Sequence, residues 1–123
     1  MPIDLTSGSL REGAKCYRNQ EFFLAHEYWE SVWIQCRHQE KIFLQALIQL
    51  ACAFHHFQRS NLRGATSQLT AALRKLQNFP ALYGGVDVAT LREEMGDWLL
   101  ALAAEDARSQ PPFPQIRLSP PID

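Results

Sequence analysis

The chain has 123 residues and a formal net charge of −1, with 46% hydrophobic and 20% charged residues. This composition predicts one globular domain that buries about two-thirds of its unfolded surface. Acidic and basic residues are balanced without a run of like charge, which argues against nucleic-acid binding, since that usually needs a basic stripe. No apolar stretch reaches the roughly 18 residues that span a bilayer, and the N-terminus has no secretory signal pattern. We therefore expect a cytoplasmic protein that does not contact membranes.

The sequence is typical of a helical protein, because it lacks alternating β-branched runs and Asn-Gly or Asp-Gly hairpin turns. Thr6 or Ser7 can cap a first helix, and Asn61 and Asp87 can cap the fourth and fifth. Pro80 stops the fourth helix, because proline cannot continue one. The five predicted helices cover approximately residues 9–18, 21–37, 40–59, 61–78 and 87–106.

The first candidate functional residues are polar side chains of the second predicted helix, between Phe22 and Trp33. At about 100° per residue, His26 falls within about 60° of three aromatic side chains: Phe22, Trp29 and Trp33. Glu30 lies beside them, one turn after His26. An imidazole inside an aromatic stripe costs desolvation free energy unless a partner satisfies it, so this segment holds the candidate site.

Three interpretations of this segment stay open, and the first is structural. A buried polar network can fix the register of packed helices. In that case the His26 ring packs between Phe22 and Trp29, while Glu30 bonds His26 or pairs with Arg74 of the fourth helix.

The second interpretation is a divalent metal site, and the third is a groove for a small molecule or peptide. The zinc-protease pattern H-E-x-x-H is incomplete, because Glu30 stands where the second histidine belongs. Zinc or iron would need a further ligand such as His55 or His56. In a binding groove, His26 and Glu30 would be the polar anchors. The candidate residues for a polar or ligand site are His26, Glu27, Glu30 and His56.

The third helix is expected to lie at the centre of the fold. Its apolar residues, which include Phe43, Leu47 and Phe54, cover about half of its circumference or more. The remaining polar stripe consists of Gln45, Gln49 and His56, with Cys52 at its edge. Glutamine rather than lysine favours partial burial of this stripe, which can face solvent, a second copy in a homodimer, or the His26 region across a pocket.

An internal repeat predicts that the helices are paired. A shift of 40 positions aligns apolar residues of the two halves: Tyr17 with Phe57, Phe22 with Leu62, Ala25 with Ala65, Trp29 with Leu69 and Trp33 with Leu73. The predicted fold is a compact all-α bundle of two stacked αα-hairpins plus a fifth helix. This layout resembles tetratricopeptide repeats with a longer period, and the likeness implies geometry rather than peptide binding.

The C-terminal segment contains five prolines, which prevent helix and favour an extended tail. We therefore divide the chain into a helical domain over residues 1–108 and a proline-rich tail over residues 109–123. The tail either packs on the domain through Phe113 and Ile116 or is disordered.

Other catalytic signatures are missing from the sequence. Three widely spaced cysteines, Cys16, Cys36 and Cys52, do not fit a disulfide framework and are expected to be core or near-surface thiols. The chain contains neither a G-x-S-x-G elbow nor a glycine-rich phosphate loop. These observations favour a role other than catalysis.

Three runs of sequence carry a family resemblance: EFFLAHEYWE at residues 21–30 followed by Trp33, FLQALIQLA at residues 43–51, and NLRGA at residues 61–65. They resemble the domain-of-unknown-function family 309, and the matching segments cover most of residues 10–105. Members commonly have glycine where this chain has Ala46, a small-for-small change that keeps helix packing feasible. The resemblance implies a compact, cytoplasmic helical bundle and supplies no reaction.

We therefore expect a non-enzymatic scaffold or protein-interaction module that self-associates and needs no cofactor. The alternative is a metal- or small-ligand-dependent activity centred on His26 and Glu30, with Glu27 and His56 as helpers.

Overall fold

The structure is a computed structural model that describes residues 3–104 and 110–119. Within these residues the elements follow in the order α1 (Gly8–Arg18), α2 (Phe22–Trp33), α3 (His38–Gln58), α4 (Leu62–Leu76), β1 (Leu82–Tyr83), β2 (Val86–Asp87) and α5 (Val88–Ala104). Helix α1 packs on α2, α3 on α4, and α5 on α4. The all-α fold class is confirmed, while the predicted end of the fifth helix at residue 106 and the boundary at residue 108 lie outside the described residues.

The same turn joins the two helices of each hairpin, which confirms the repeat of 40 residues. Gln20 has φ 63° and Ser60 has φ 62°, so both lie in the left-handed region that ends many helices. In each turn the backbone N–H one residue later donates to the carbonyl five positions before it, from Glu21 to Cys16 and from Asn61 to His56. Each second helix then begins one residue further on, at positions 22 and 62.

The centre of the bundle is α3, as predicted. Nine of its residues are buried: Phe43, Leu44, Ala46, Leu47, Ile48, Leu50, Ala51, Ala53 and Phe54. At roughly 1.5–3 kcal/mol for each large apolar side chain removed from water, this helix supplies a major part of the hydrophobic free energy of folding. It also holds α2 and α4 in fixed positions on either side.

Two predicted helix ends are wrong. Helix α2 ends at Trp33 rather than residue 37, because the chain turns there: the N–H groups of Gln35 and Cys36 donate to carbonyls only three residues back. The reversal lets the Trp33 indole donate to the Lys41 carbonyl (3.2 Å), with the Lys41 amine 4.2 Å from the ring centroid. Helix α4 ends at Leu76 rather than residue 78.

The segment before α5 forms a small antiparallel hairpin that the sequence patterns did not predict. Leu82 pairs with Asp87 and Tyr83 pairs with Val86, and the turn between them uses two glycines with positive φ. Two-residue strands are too short for an alternating pattern to reveal. Asp87 also caps α5 as predicted, because its carboxylate accepts from the Thr90 backbone N–H at 3.1 Å.

Residues 110–119 lie against the bundle, with Phe113 and Ile116 partly buried against its hydrophobic core. The segment ends beside β2, where Leu118 forms a bridge to Val86. None of the helices in the described part of the chain is both long and apolar enough to cross a membrane.

Candidate functional site

Helix α2 divides its side chains sharply between the core and the surface. Phe22, Ala25 and Trp29 are buried, and the Trp29 indole donates to the Leu10 carbonyl at 3.1 Å. The exposed side chains of α2 include polar ones, at Glu27, Glu30 and Ser31. Three others are large and apolar: Phe23 is 51% exposed, Leu24 40% and Tyr28 36%. We call these three residues the α2 outer face.

The predicted pair of His26 and Glu30 forms on this helix. His26 Nε2 lies 2.7 Å from Glu30 Oε2, and the side chains are 23% and 56% exposed respectively. The pair spans one helical turn, which is why these side chains meet. Glu27, predicted as a helper, is exposed on the outside of α2.

One detail of the structural interpretation of His26 is wrong. Its ring contacts Phe23 on the outer face, with centroids 5.5 Å apart, rather than packing between the buried Phe22 and Trp29. Of the two partners expected for Glu30, it bonds His26, while the Arg74 side chain is exposed on α4. His26 therefore stands at the edge of the aromatic core instead of inside it.

The second ring nitrogen of His26 is unusual. Nδ1 is covered by protein, yet it has no hydrogen-bond partner among the described residues. A covered polar atom without a partner costs free energy whether the imidazole is neutral or charged. Because Nε2 is held by Glu30 and Nδ1 is covered, any ligand of this imidazole must displace one of these contacts.

Two further histidines, at the end of α3, lie beside the pair. The Phe23 ring centroid lies 5.2 Å from His55, and the centroids of His55 and His56 are 6.3 Å apart. The pKa of His55 is lowered from 6.5, first by partial burial and then by Arg59 and the neighbouring imidazoles. Phe23 is thus an exposed aromatic ring between two imidazoles.

His56, the second predicted helper, is tied to the turn between α3 and α4. Its Nδ1 lies 3.1 Å from the Asn61 side-chain amide nitrogen. The Asn61 carbonyl oxygen accepts from the Gly64 backbone N–H at 3.0 Å, so the amide group donates to Nδ1. A neutral His56 therefore carries its proton on Nε2.

The polar stripe of α3 is partly buried, as its glutamines indicated. Gln45, Gln49, Cys52 and His56 all have intermediate exposure, and Lys75 of α4 donates to Gln49 Oε1 at 2.9 Å. This contact places part of the stripe beside α4. The stripe was expected to face solvent, a second copy or the His26 region. For Gln49, neither open solvent nor the His26 region is the whole of its surroundings, because Lys75 of α4 contacts it.

The described residues contain no group of three or more His, Cys, Asp or Glu side chains arranged to hold a metal ion. An ion at His26 and Glu30 would therefore need the remaining ligands from solvent or substrate. The three cysteines are free. Burial raises the pKa of each thiol above its ordinary value, which makes them weak nucleophiles.

Sequence reasoning missed the most informative contrast on the surface. Positions 63, 64 and 68 of α4 align with the α2 outer face when the chain is shifted by 40 residues, and they hold Arg63, Gly64 and Gln68. The repeat was used only to align the inward residues. Applied to the outward ones, it would have indicated that α2 carries three large apolar side chains where α4 carries an arginine, a glycine and a glutamine.

Comparison with known proteins agrees with the family resemblance. Residues 10–68 match the domain of unknown function DUF309, a range that contains all three resembling runs. An uncharacterised protein of Aquifex aeolicus (strain VF5) is 29% identical over 84 residues, which is 68% of this chain and 25% of that protein. The chain thus spans about a quarter of the length of this curated relative.

Proposed function

We propose that this domain is a protein-interaction module of the cytoplasm, without catalytic activity, and that it self-associates through the α2 outer face. The observation that carries the proposal is the exposure of Phe23, Leu24 and Tyr28, where the repeat-equivalent helix carries hydrophilic or small residues. Exposed apolar patches commonly mark interaction sites.

The polar residues beside the α2 outer face can form directional contacts with a protein partner. Phe23 stands between His26 and His55, and the His26–Glu30 pair adds directional hydrogen-bonding groups at its edge. Aromatic anchors next to polar groups dominate many protein interfaces. A second copy of the chain is the simplest partner, because a twofold dimer needs only one self-complementary patch.

The match to a quarter of a longer relative supports a modular role. A domain that also occurs within a longer chain is expected to fold independently and to contact other surfaces. The absence of catalytic motifs in the sequence is consistent with this role.

Sedimentation velocity over a wide range of concentrations tests the proposal. The decisive variant is Phe23→Arg with Tyr28→Gln, which gives α2 the side chains that α4 carries at these positions. We expect the parent to self-associate and the double variant to do so at least about tenfold more weakly. The matched control is Leu100→Arg, at an α5 leucine that is 73% exposed, and it should behave like the parent.

A parent that stays monomeric at all concentrations would contradict self-association. An equal loss in the Leu100→Arg control would contradict the assignment to α2. Circular dichroism of each variant ensures that the comparison is made between folded proteins.

A second candidate is a metal- or small-ligand-dependent activity at His26 and Glu30. The Nε2–Oε2 contact favours it, because Glu30 is 56% exposed and an ion could replace the proton that joins these two atoms. Glu27 and His56 would need to reorient to assist. Elemental analysis of untagged parent protein and of His26→Gln decides: near-stoichiometric zinc or iron in the parent alone supports the metal site, and no metal in either contradicts it.

A further inference from the structure

The tail is held by contacts of the kind that proteins use for peptide ligands. The Trp98 indole donates to the Pro112 carbonyl at 2.8 Å, and the Tyr17 hydroxyl donates to the Pro114 carbonyl at 2.7 Å. Recognition of alternate main-chain carbonyls by aromatic donors suits proline-containing segments, whose fixed φ lowers the entropy lost on binding.

Between these two carbonyls, Phe113 enters an aromatic pocket. Its ring stacks on Trp98, with centroids 5.4 Å apart and an interplanar angle of 4°, and meets Phe22 and Phe54 edge-on at 5.2 and 5.1 Å. A side chain flanked by two bound carbonyls fixes the register of the segment.

The next residues are clamped by charge. Glu94 of α5 accepts two hydrogen bonds from the Arg117 guanidinium, both at 3.0 Å, and one from the Gln115 backbone N–H at 2.9 Å. The pKa of Glu94 is lowered chiefly because Arg117 donates to it. Paired donors on a carboxylate give directional recognition.

The segment finally adds a strand position to the β1–β2 hairpin. Leu118 bridges Val86, the Asp87 N–H donates to the Arg117 carbonyl at 3.0 Å, and the Ser119 N–H donates to the Gly85 carbonyl at 2.8 Å. Addition of a strand to an exposed edge is a general way to bind peptides. A cleft of about 330 Å³ lies beside the segment, and residues of the segment such as Pro112 and Phe113 line it together with Arg18 and Gln20.

We propose that the groove between α1 and α5 is a binding site for an extended proline-containing peptide, which each chain fills with its own residues 112–118 and which accepts the same segment from a second copy. The occupant is defined by the chain itself: a Pro-Phe-Pro core with an arginine three residues later. Exchange of an identical segment between copies is a recognised route to dimers. This site lies apart from the α2 outer face, and peptide binding to the cleaved chain tests it independently of self-association through that face.

The test uses the whole chain with a site-specific protease sequence placed between residues 104 and 110. After cleavage, the probe is a fluorescent peptide of residues 110–119, measured by anisotropy. A tethered tail competes at an effective concentration of the order of millimolar, so cleavage should raise the apparent affinity for the peptide by at least about tenfold. Saturable binding to the cleaved chain is the expected result.

Two substitutions test the contacts. Tyr17→Phe removes the donor to Pro114 and Glu94→Gln removes the charge that faces Arg117, and each should weaken binding by about threefold to tenfold. The matched control is Tyr28→Phe, a tyrosine of the α2 outer face that is 36% exposed, away from these contacts. It should bind like the parent.

Three results would overturn the proposal. The cleaved chain could stay helical by circular dichroism and bind no peptide. It could lose its helical fold when the tail separates, which would make the tail part of the core. Tyr17→Phe and Glu94→Gln could both bind as tightly as Tyr28→Phe, which would leave these contacts without a role in recognition.

Discussion

The two helical hairpins are built on one backbone plan and use different side chains to complete it. In the first, Trp29 is enclosed where Gly13 leaves room, since a Cβ at Gly13 would lie 2.6 Å from Trp29 Cδ1. In the second, the equivalent positions 53 and 69 hold Ala53 and Leu69, both fully buried. The first hairpin thus combines a tryptophan with a glycine where the second has a leucine and an alanine, and the backbone plan stays the same.

The outward faces differ more than the cores. Helix α2 exposes Phe23, Leu24 and Tyr28 and carries the His26–Glu30 pair, while α4 is hydrophilic at the corresponding places. The comparison teaches that the repeat constrains what packs inside, whereas its exposed positions are free to acquire a binding role. The predictions below test how far the equivalence holds.

The largest effect is expected at Gly13. Gly13→Ala should lower the free energy of unfolding by about 2 kcal/mol or more, because the new methyl group overlaps the buried Trp29 ring. Combining it with Trp29→Leu, as in the second hairpin, should cost less than the sum of the single changes, and urea unfolding measures this coupling.

Gly96 offers the matched control for this prediction. It lies within α5, and no described atom lies within 4 Å of a Cβ added there, apart from its chain neighbours and the helix's own backbone. Gly96→Ala should therefore stabilise the protein by about 0.5–1 kcal/mol. Equal losses from the two substitutions would mean that Trp29 moves aside at little cost.

The next largest difference between the two hairpins is expected when the N-cap residues of their second helices are replaced. Asn61→Ala should cost about 1 kcal/mol, because the Asn61 side chain accepts from the Gly64 N–H. Glu21 occupies the same place before α2 but makes no capping hydrogen bond through its side chain to the residues described here. Glu21→Ala should be nearly neutral in thermal unfolding, and similar losses for both would contradict the distinction.

Glycine substitutions in the turn that both hairpins share should change the free energy of unfolding by the same amount in each. Gln20→Gly and Ser60→Gly should each stabilise the protein by about 0.5 kcal/mol, because glycine adopts positive φ without strain. Chemical unfolding of both variants measures this, with Gln20→Ala and Ser60→Ala as controls that keep the strain. A gain at only one of the two positions would show that the turns are not equivalent.

The smallest effect concerns pH. Because the folded-state pKa of His55 lies below 6.5, the unfolded chain binds more protons between these two values, and stability rises with pH across that window. His55→Gln should remove this part of the rise, which we expect to be below about 0.5 kcal/mol because solvent screens the ring. Lys15→Gln, at the repeat-equivalent position, should leave the slope unchanged when unfolding is measured at several pH values.

Much of the fold was predictable from the sequence because it depends on local and periodic signals. The repeat of 40 positions anticipated the matching turns at Gln20 and Ser60, and the apolar pattern of α3 placed it at the centre. The caps at Asn61 and Asp87 followed from side chains that bond their own neighbours. The meeting of His26 and Glu30 was equally predictable, since residues one turn apart converge on any helix.

The sequence by itself determined the helices, their pairing and the identity of the polar pair, because these rest on spacing along the chain. Tertiary structure alone decided which groups from distant segments share one place. It ended α2 early so that Trp33 could reach Lys41, and it set Phe113 against Trp98. It also left Nδ1 of His26 covered, without a hydrogen-bond partner in the part of the chain that the structure describes. Spacing cannot reveal these contacts, because each depends on the packing of elements that are far apart in sequence.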